Sequence, residues 1–330
     1  MHLEITLPKK ILAWYDNSKR DLPWRVGKKS PKKLYYRLLS EFMLQQTQVK
    51  TVIPYFINFI KTIPNLKTLS KVKNETLMRS WEGLGYYSRA RNLKKTAIKI
   101  IKDHNGRLPN SIEELKNLPG IGDYTSKAIM AIAFNKKIIP LDGNVERILK
   151  RVFYLRKEDE ISKEYLNSKI HFFGSSSRAS DYAQAIMEIG ALVCKPNNPL
   201  CIKCPISLNC ISFKKNDFTI KTKNKFNKTK YFEAQIYQDN DKYLLIKNNK
   251  FNFLKNMPIF PMNEVEKKKY KYSNNKKINI KLSNMDMKII LNKVYKLPNI
   301  KNKILLNRTQ TKSIILPSFT KKIFSSISKI

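Results

Sequence analysis

The feature that most constrains this chain is its set of four cysteines, Cys194, Cys201, Cys204 and Cys210, spaced C-x6-C-x2-C-x5-C. Four thiolates packed into 17 residues can close around one metal centre. A disulfide framework scatters its cysteines along the chain, so the clustering points to a metal site in a reducing cytosol. Spacing alone leaves a structural zinc and an iron–sulfur cluster equally open. Lys195 and Lys203 fall on the loops that the ligands define, where they present positive charge to a phosphate backbone.

The rest of the chain sets the organisation. Its 330 residues suggest two domains, and 42% hydrophobic residues suffice for a sizeable core. Lys and Arg number 65 against 25 Asp and Glu, a net charge of +40 that calls for a polyanion, either nucleic acid or an anionic membrane surface. Most of those cations are Lys in a chain also rich in Asn and Ile, so part of the charge follows AT-rich codons. No apolar run reaches membrane-span length, and Met1 to Asp16 lacks a secretory h-region. Residues 1–213 read mostly as helices: Leu34, Leu38, Leu39, Phe42 and Met43 hold helical spacing, and Ser111-Ile112-Glu113-Glu114 is a capping box. Residues 214–230, with seven Lys and one Asp, read as an exposed basic linker. From 231 to 330 the pattern alternates, as in Phe232–Tyr237, with a turn at Asp239-Asn240-Asp241, which predicts a smaller α+β domain.

Three stretches carry chemistry. In Leu118-Pro119-Gly120-Ile121-Gly122, two glycines allow a tight turn whose backbone N–H groups point outward beside a helix start. That is an anion site without sequence preference, or else an ordinary helix–helix turn. Glu41 stands among apolar residues, where a carboxyl is held protonated and suits a general acid; its plainer reading is a first-turn Glu favoured by the helix dipole. Asp142, in a Pro/Gly-bounded loop, is either a cleft carboxylate or the N-cap for the helix from Val145. The Gln-rich run around Gln46 suits base edges or the gap left by an extruded base. Tyr86, Tyr87, Arg89 and Arg91 suit stacking and phosphate pairing, or a core Tyr pair with surface Arg.

In this order the motifs resemble adenine DNA glycosylases of the MutY kind, in the helix-hairpin-helix superfamily that includes endonuclease III. The matching stretches are Asp21-Leu22-Pro23-Trp24-Arg25, SEFMLQQTQV from Ser40, WEGLGYYSRARNL from Trp81, LPGIGDYTSKAI from Leu118, LDGNVER from Leu141, MEIGALVC from Met187 and the cysteine spacing, over about residues 7–213. The resemblance implies a mainly α helix-hairpin-helix glycosylase domain over 1–213 with a [4Fe–4S] cluster on Cys194, Cys201, Cys204 and Cys210. It also implies hydrolysis of the N-glycosidic bond of adenine mispaired with 8-oxoguanine or guanine in double-stranded DNA. Glu41 looks like the acid that protonates adenine N7, and Asp142 like the carboxylate that stabilises the sugar cation, with Tyr124 and Asn144 in support. Gln46 and Tyr86 match residues wedged into the duplex; Arg20, Arg25 and Glu188 match contacts around the extruded adenine. Gly120 and Gly122 match the hairpin on the DNA backbone.

The same resemblance extends loosely over 231–330, to a degenerate MutT/Nudix-like lesion-recognition domain. Leu282-Ser283-Asn284 stands where relatives commonly carry Phe-Ser-His, so Ser283 keeps a hydrogen-bonding group while the stacking wedge and imidazole are gone. Only Glu264 and Glu266 stand near each other there, so pyrophosphatase activity is not expected. Endonuclease III-like lyases place a Lys nucleophile two residues after the Gly-x-Gly turn; Tyr124 occupies that position, which predicts a monofunctional enzyme. A non-catalytic cluster protein would not need both Glu41 and Asp142, and an electron carrier would not need the hairpin. The expectation is a monomeric, cytoplasmic, nucleoid-associated bacterial repair enzyme.

Overall fold

The computed structural model describes residues 6–27, 30–156, 161–220, 228–282, 285–296, 300, 303–307, 310 and 314–327. The chain divides into two compact units, Met1–Val72 with Arg91–Lys223, and Lys73–Ala90 with Asn224–Ile330. No helix among the described residues is long and apolar enough to cross a membrane.

The first unit is helical. Its helices are α1 (Leu7–Ser18), α2 (Lys33–Leu44), α3 (Val49–Thr62) and α4 (Leu66–Lys71), followed after α5 (Asn74–Trp81) by α6 (Tyr87–Asp103), which leads in from the other unit. The chain goes on through α7 (Ile112–Lys116), α8 (Asp123–Ile132), α9 (Gly143–Val152), α10 (Lys163–Ser168), α11 (Ala179–Glu188) and α12 (Ile211–Lys214). The apolar stripe of α2 is buried at Leu38, Leu39, Phe42 and Met43, although Leu34 at its start is exposed. One core gathers Ile11, Leu12 and Tyr15 of α1, Val145, Ile148 and Leu149 of α9, and Tyr182, Ala185 and Ile186 of α11. The capping box forms: the Ser111 hydroxyl accepts from the Glu114 N–H at 3.2 Å and opens α7. Helix α11 runs into a π-helical turn, Ile189–Val193, that delivers the chain to Cys194.

The second unit is built on β1 (Lys228–Asp239), β2 (Lys242–Lys247), β3 (Pro258–Ile259), β4 (Met262–Glu264), β5 (Lys277–Leu282), β6 (Met285–Val294) and β7 (Lys303–Asn307), with α13 (Lys267–Tyr272) and α14 (Ser318–Ile327). The seven strands form a mixed sheet ordered β3-β2-β1-β6-β5, with β4 on β1 and β7 on β2. β1 and β6 are parallel, Phe232 opposite Ile289; β5 and β6 are antiparallel. Alternation along β1 buries Phe232, Ala234 and Ile236, and α14 covers them with Phe319, Ile323, Phe324 and Ile327. This is the smaller α+β domain. The turn at Asn240 takes φ 51° between β1 and β2.

The stretch read as an exposed linker is held at both ends. Arg151 Nε donates to the Phe218 carbonyl at 3.2 Å and Tyr154 Oη to Asp217 at 2.8 Å, while Lys228 already belongs to β1. The segment from Lys73 to Ala90 groups with the sheet unit rather than with the helices around it in sequence.

Candidate active site

Helix α2 carries Glu41 on its inner face, 9% exposed. Burial pushes its carboxyl up to about 7; Arg37 pulls it down and Asp142 pushes it further up. Asp142 caps α9, so the N-cap reading holds, and the same side chain feels Glu41. Its Oδ1 accepts from the N–H groups of Asn144 (2.9 Å) and Val145 (2.7 Å), and its Oδ2 from Asn144 Nδ2 (3.0 Å). Those bonds favour the charged form, but burial outweighs them and leaves the carboxyl above its ordinary range. Tyr124, on the first turn of α8, feels both carboxyls, and its hydroxyl is driven far above its usual range by burial and by them. Glu41, Asp142 and Tyr124 therefore share one electrostatic neighbourhood, delivered by three helices.

The hairpin between α7 and α8 is pinned to that neighbourhood. Gly120 takes φ +83°, and a Cβ there would lie 2.9 Å from Phe42 of α2 and from Asn92 of α6. Gln45 Nε2 donates to the Gly120 carbonyl at 3.1 Å, and Thr96 Oγ1 to the Pro119 carbonyl at 2.8 Å. Gly122 differs: it caps α8 at φ −97° with nothing within 4 Å, so the fold itself does not demand glycine there.

Arg20, Arg25 and Glu188 form one clamp. The Glu188 carboxylate, 1% exposed, accepts from Arg20 Nε (2.8 Å), Arg20 Nη2 (3.0 Å) and Arg25 Nη2 (2.6 Å). Arg25 Nε also donates to Gln184 Oε1 at 3.0 Å, and Arg37 Nη1 to the same oxygen at 3.1 Å. Gln46 and Tyr86 are exposed, and both take left-handed backbone conformations, φ 55° and 47°, that cost a non-glycine residue energy. They lie in different units. Arg89 steadies the Tyr86 turn by donating to the carbonyls of Leu84 (3.1 Å) and Gly85 (3.2 Å), its guanidinium over the Tyr86 and Trp81 rings. Ser283 lies outside the described residues.

All four cysteines line one small pocket, walled by Ile148, Val152, Val193, Ile206, Phe213 and Phe218. Burial raises the Cys204 thiol to about 12 and lifts those of Cys201 and Cys210 too. Arg151 Nη1 donates to Cys194 Sγ at 3.3 Å. Among the described residues, no three His, Cys, Asp or Glu converge as one bare ion would require. Four thiolates lining one pocket are a donor set that suits a metal centre, a zinc or an iron–sulfur cluster alike.

The residue pattern did not single out the groups that tie these parts together. Arg147 Nη2 donates at 2.7 Å to both Asn144 Oδ1 and the Gly190 carbonyl, and its Nε donates to the Cys194 carbonyl at 2.7 Å. Gly190 in the π turn packs so tightly that a Cβ would stand 2.5 Å from Asn144 Cβ. Arg37, a cation on the apolar face of α2 four residues before Glu41, was visible as an oddity in an otherwise apolar pattern.

A helix-hairpin-helix with two carboxyls converging beside it defines a class: the profile of the HhH-GPD superfamily of base excision DNA repair proteins matches residues 39–171. Among solved structures, a thermostable thymine-DNA glycosylase is 26% identical with a TM-score of 0.56, over 63% of this chain and 95% of that one. A non-covalent endonuclease III–DNA complex, 22% identical with a TM-score of 0.50 over 64% of this chain and 99% of that one, shares the fold. The adenine DNA glycosylase of Buchnera aphidicola subsp. Baizongia pistaciae is 37% identical over 97% of this chain and 96% of its own length. That of Buchnera aphidicola subsp. Schizaphis graminum is 38% identical over 82% of this chain and 78% of its own. The chain belongs to the adenine DNA glycosylase family.

Proposed function

We propose that this protein is a monofunctional glycosylase that removes adenine paired with 8-oxoguanine or guanine in double-stranded DNA, acting as a monomer in the bacterial cytoplasm on nucleoid DNA. The observation that carries the reading is the shared neighbourhood of Glu41 and Asp142, two carboxyls of unlike environment near enough that Asp142 acts on the charge of Glu41. Adenine is a poor leaving group until a ring nitrogen is protonated. Glu41, held protonated near neutral pH by burial, gives its proton to adenine N7. The C1′–N9 bond then breaks, its electron pair leaving with the base. Positive charge grows on the sugar, and the Asp142 carboxylate, fixed by three hydrogen bonds, opposes it. Water adds at C1′ and loses a proton, leaving an abasic site. Asn144 holds Asp142 in place, and Tyr124 supports the pair from beside them.

The base must first leave the stack, at a cost of a few kcal/mol. Gln46 and Tyr86, each exposed on a strained turn of its own unit, are residues for contacting the duplex. The Arg20–Arg25–Glu188 clamp grips the extruded adenine edge. The bare N-terminus of α8 at Gly122 admits a phosphate where a side chain would block it. Cys194, Cys201, Cys204 and Cys210 hold a [4Fe–4S] cluster that, when bound, cross-braces the loop from 194 to 210. Ser283 is the group left to sense the opposite base. Tyr124 offers no amine for a Schiff base, and the flanking Lys116 and Lys127 pair with Asp123 at 4.0 and 2.9 Å.

Duplexes carrying A opposite 8-oxoguanine, G or T test the reading, followed by alkaline cleavage. The expected result is release from the first two only, with little strand cleavage before alkali. Glu41→Gln should bind lesion DNA and release no adenine; normal turnover by that variant removes the acid assignment. High-yield borohydride trapping through a hairpin residue removes the monofunctional one.

A further inference from the structure

Arg37 and Glu41 are four residues apart on α2, so their side chains share one face of the helix, and both are buried, at 7% and 9% exposure. A cation in that position is costly, and Arg37 is incompletely partnered: Nη1 donates to Gln184 Oε1 at 3.1 Å, while Nε is buried with no partner. It also lines a polar cleft of 510 Å³ with Arg20, Arg25 and Gln184, a lining that does not include Glu41. The guanidinium stays charged at neutral pH, since burial lowers it only to about 10.

We propose that Arg37 is a positioning residue for the reaction: held by Gln184, it sets the proton affinity of Glu41 by standing one helical turn away as a fixed positive charge. The inference rests on the reading of Glu41 as the proton donor. The groups that face Glu41 are Arg37 on its own helix, Asp142 at the start of α9 and Tyr124 on α8. Arg37 itself faces Arg25, Asp181 and Tyr15. Burial and the Asp142 carboxylate both make Glu41 hold its proton more tightly. A donor works best when its proton affinity matches the working pH, and Arg37 is the one group of the three that loosens the hold. Asp142 is needed ionised and Glu41 protonated, and Tyr124 ionises far above the neutral range, so a loss of rate as pH rises through neutrality belongs to Glu41.

The test is the pH profile of single-turnover adenine release by the full-length protein on an A:8-oxoguanine duplex. In the parent, the rate falls on the alkaline side as Glu41 loses its proton. Arg37→Met keeps the volume and removes the charge; its limb should move up by about one pH unit or more. Arg37→Lys keeps a cation and should hold the limb near the parent's. Arg37→Gln is a second neutral variant, should Met disturb folding, and its limb should move the same way as that of Met. A purely structural role would lower the rate in all three without moving the limb. Glu41→Gln in the same assay separates the failures: if it is inactive and the neutral variants keep the parent's limb, the Arg37 inference alone falls. If Glu41→Gln still releases adenine, the donor assignment falls and takes this inference with it.

Discussion

At the scale of single residues, the site stores unfavourable states that the fold sustains. Gln46 and Tyr86 hold backbone angles that most residues avoid, and Glu41 holds a largely buried carboxyl. The Glu41 cost has a definite pH dependence. The carboxyl titrates at 4.5 when unfolded and about 7 when folded, so the folded state binds its proton more tightly. The stability this gives is fully present below 4.5 and is lost as pH rises through about 7. Glu41→Gln removes the titration while keeping the shape. Denaturant unfolding of parent and variant should therefore agree near pH 4, and by pH 8 the variant should be more stable by about 3 kcal/mol. A parent as stable as the variant at pH 8 would mean that Glu41 is not desolvated as its placement requires.

At the scale of elements, the decisive piece is the π turn from Ile189 to Val193, which brings Gly190 against Asn144, in the first turn of α9 that Asp142 caps. Gly190→Ala would put a methyl 2.5 Å from Asn144 Cβ and 3.1 Å from its Cα, so the Asp142 loop must move. The expected cost is about 1–3 kcal/mol of stability, from overpacking. The rate should fall roughly a hundredfold, because a small misplacement of Asp142 removes charge stabilisation where it is needed. Thermal unfolding and single-turnover release measure the two; a folded variant with the parent's rate would show that Asp142 is not held by this contact. The residue pattern made Glu41, Asp142, the hairpin and the cysteines candidates, because each sits in a short contiguous motif, and the family resemblance supplied the roles proposed for them. It did not announce the π turn, since periodicity over five residues cannot separate it from the end of an α-helix. Nor did it announce Arg147, Gln184 or the anchoring of Asp217 and Phe218, whose partners lie far away in sequence and appear only once the helices pack together. The sheet unit was legible as alternation, but the parallel pairing of β1 with β6 joins strands too distant in sequence for any local pattern to mark.

At the scale of the whole molecule, charge is the dominant feature. From residue 214 onward the chain has 28 Lys and Arg against 7 Asp and Glu, just over half of the total excess in about a third of its length. Codon composition and DNA binding both account for Lys-rich surfaces, but they differ in what salt does. Cations that neutralise phosphates release condensed counterions, so affinity falls as a power of salt concentration with an exponent near the number of phosphates contacted. Compositional charge that never meets the duplex adds a general attraction but no such steep power law. With six to ten contacts, binding to an uncleaved A:8-oxoguanine duplex should weaken by about 10³–10⁵ between 50 and 200 mM salt. Glu41→Gln, which leaves the duplex intact, is the form in which to measure this by equilibrium titration. Competition with a matched duplex then separates contacts to the flipped base, which salt barely touches, from contacts to the backbone, which it governs. A slope close to zero would mean that the Lys-rich surface does not touch DNA and that the hairpin and the Arg20–Arg25–Glu188 clamp carry the affinity by themselves.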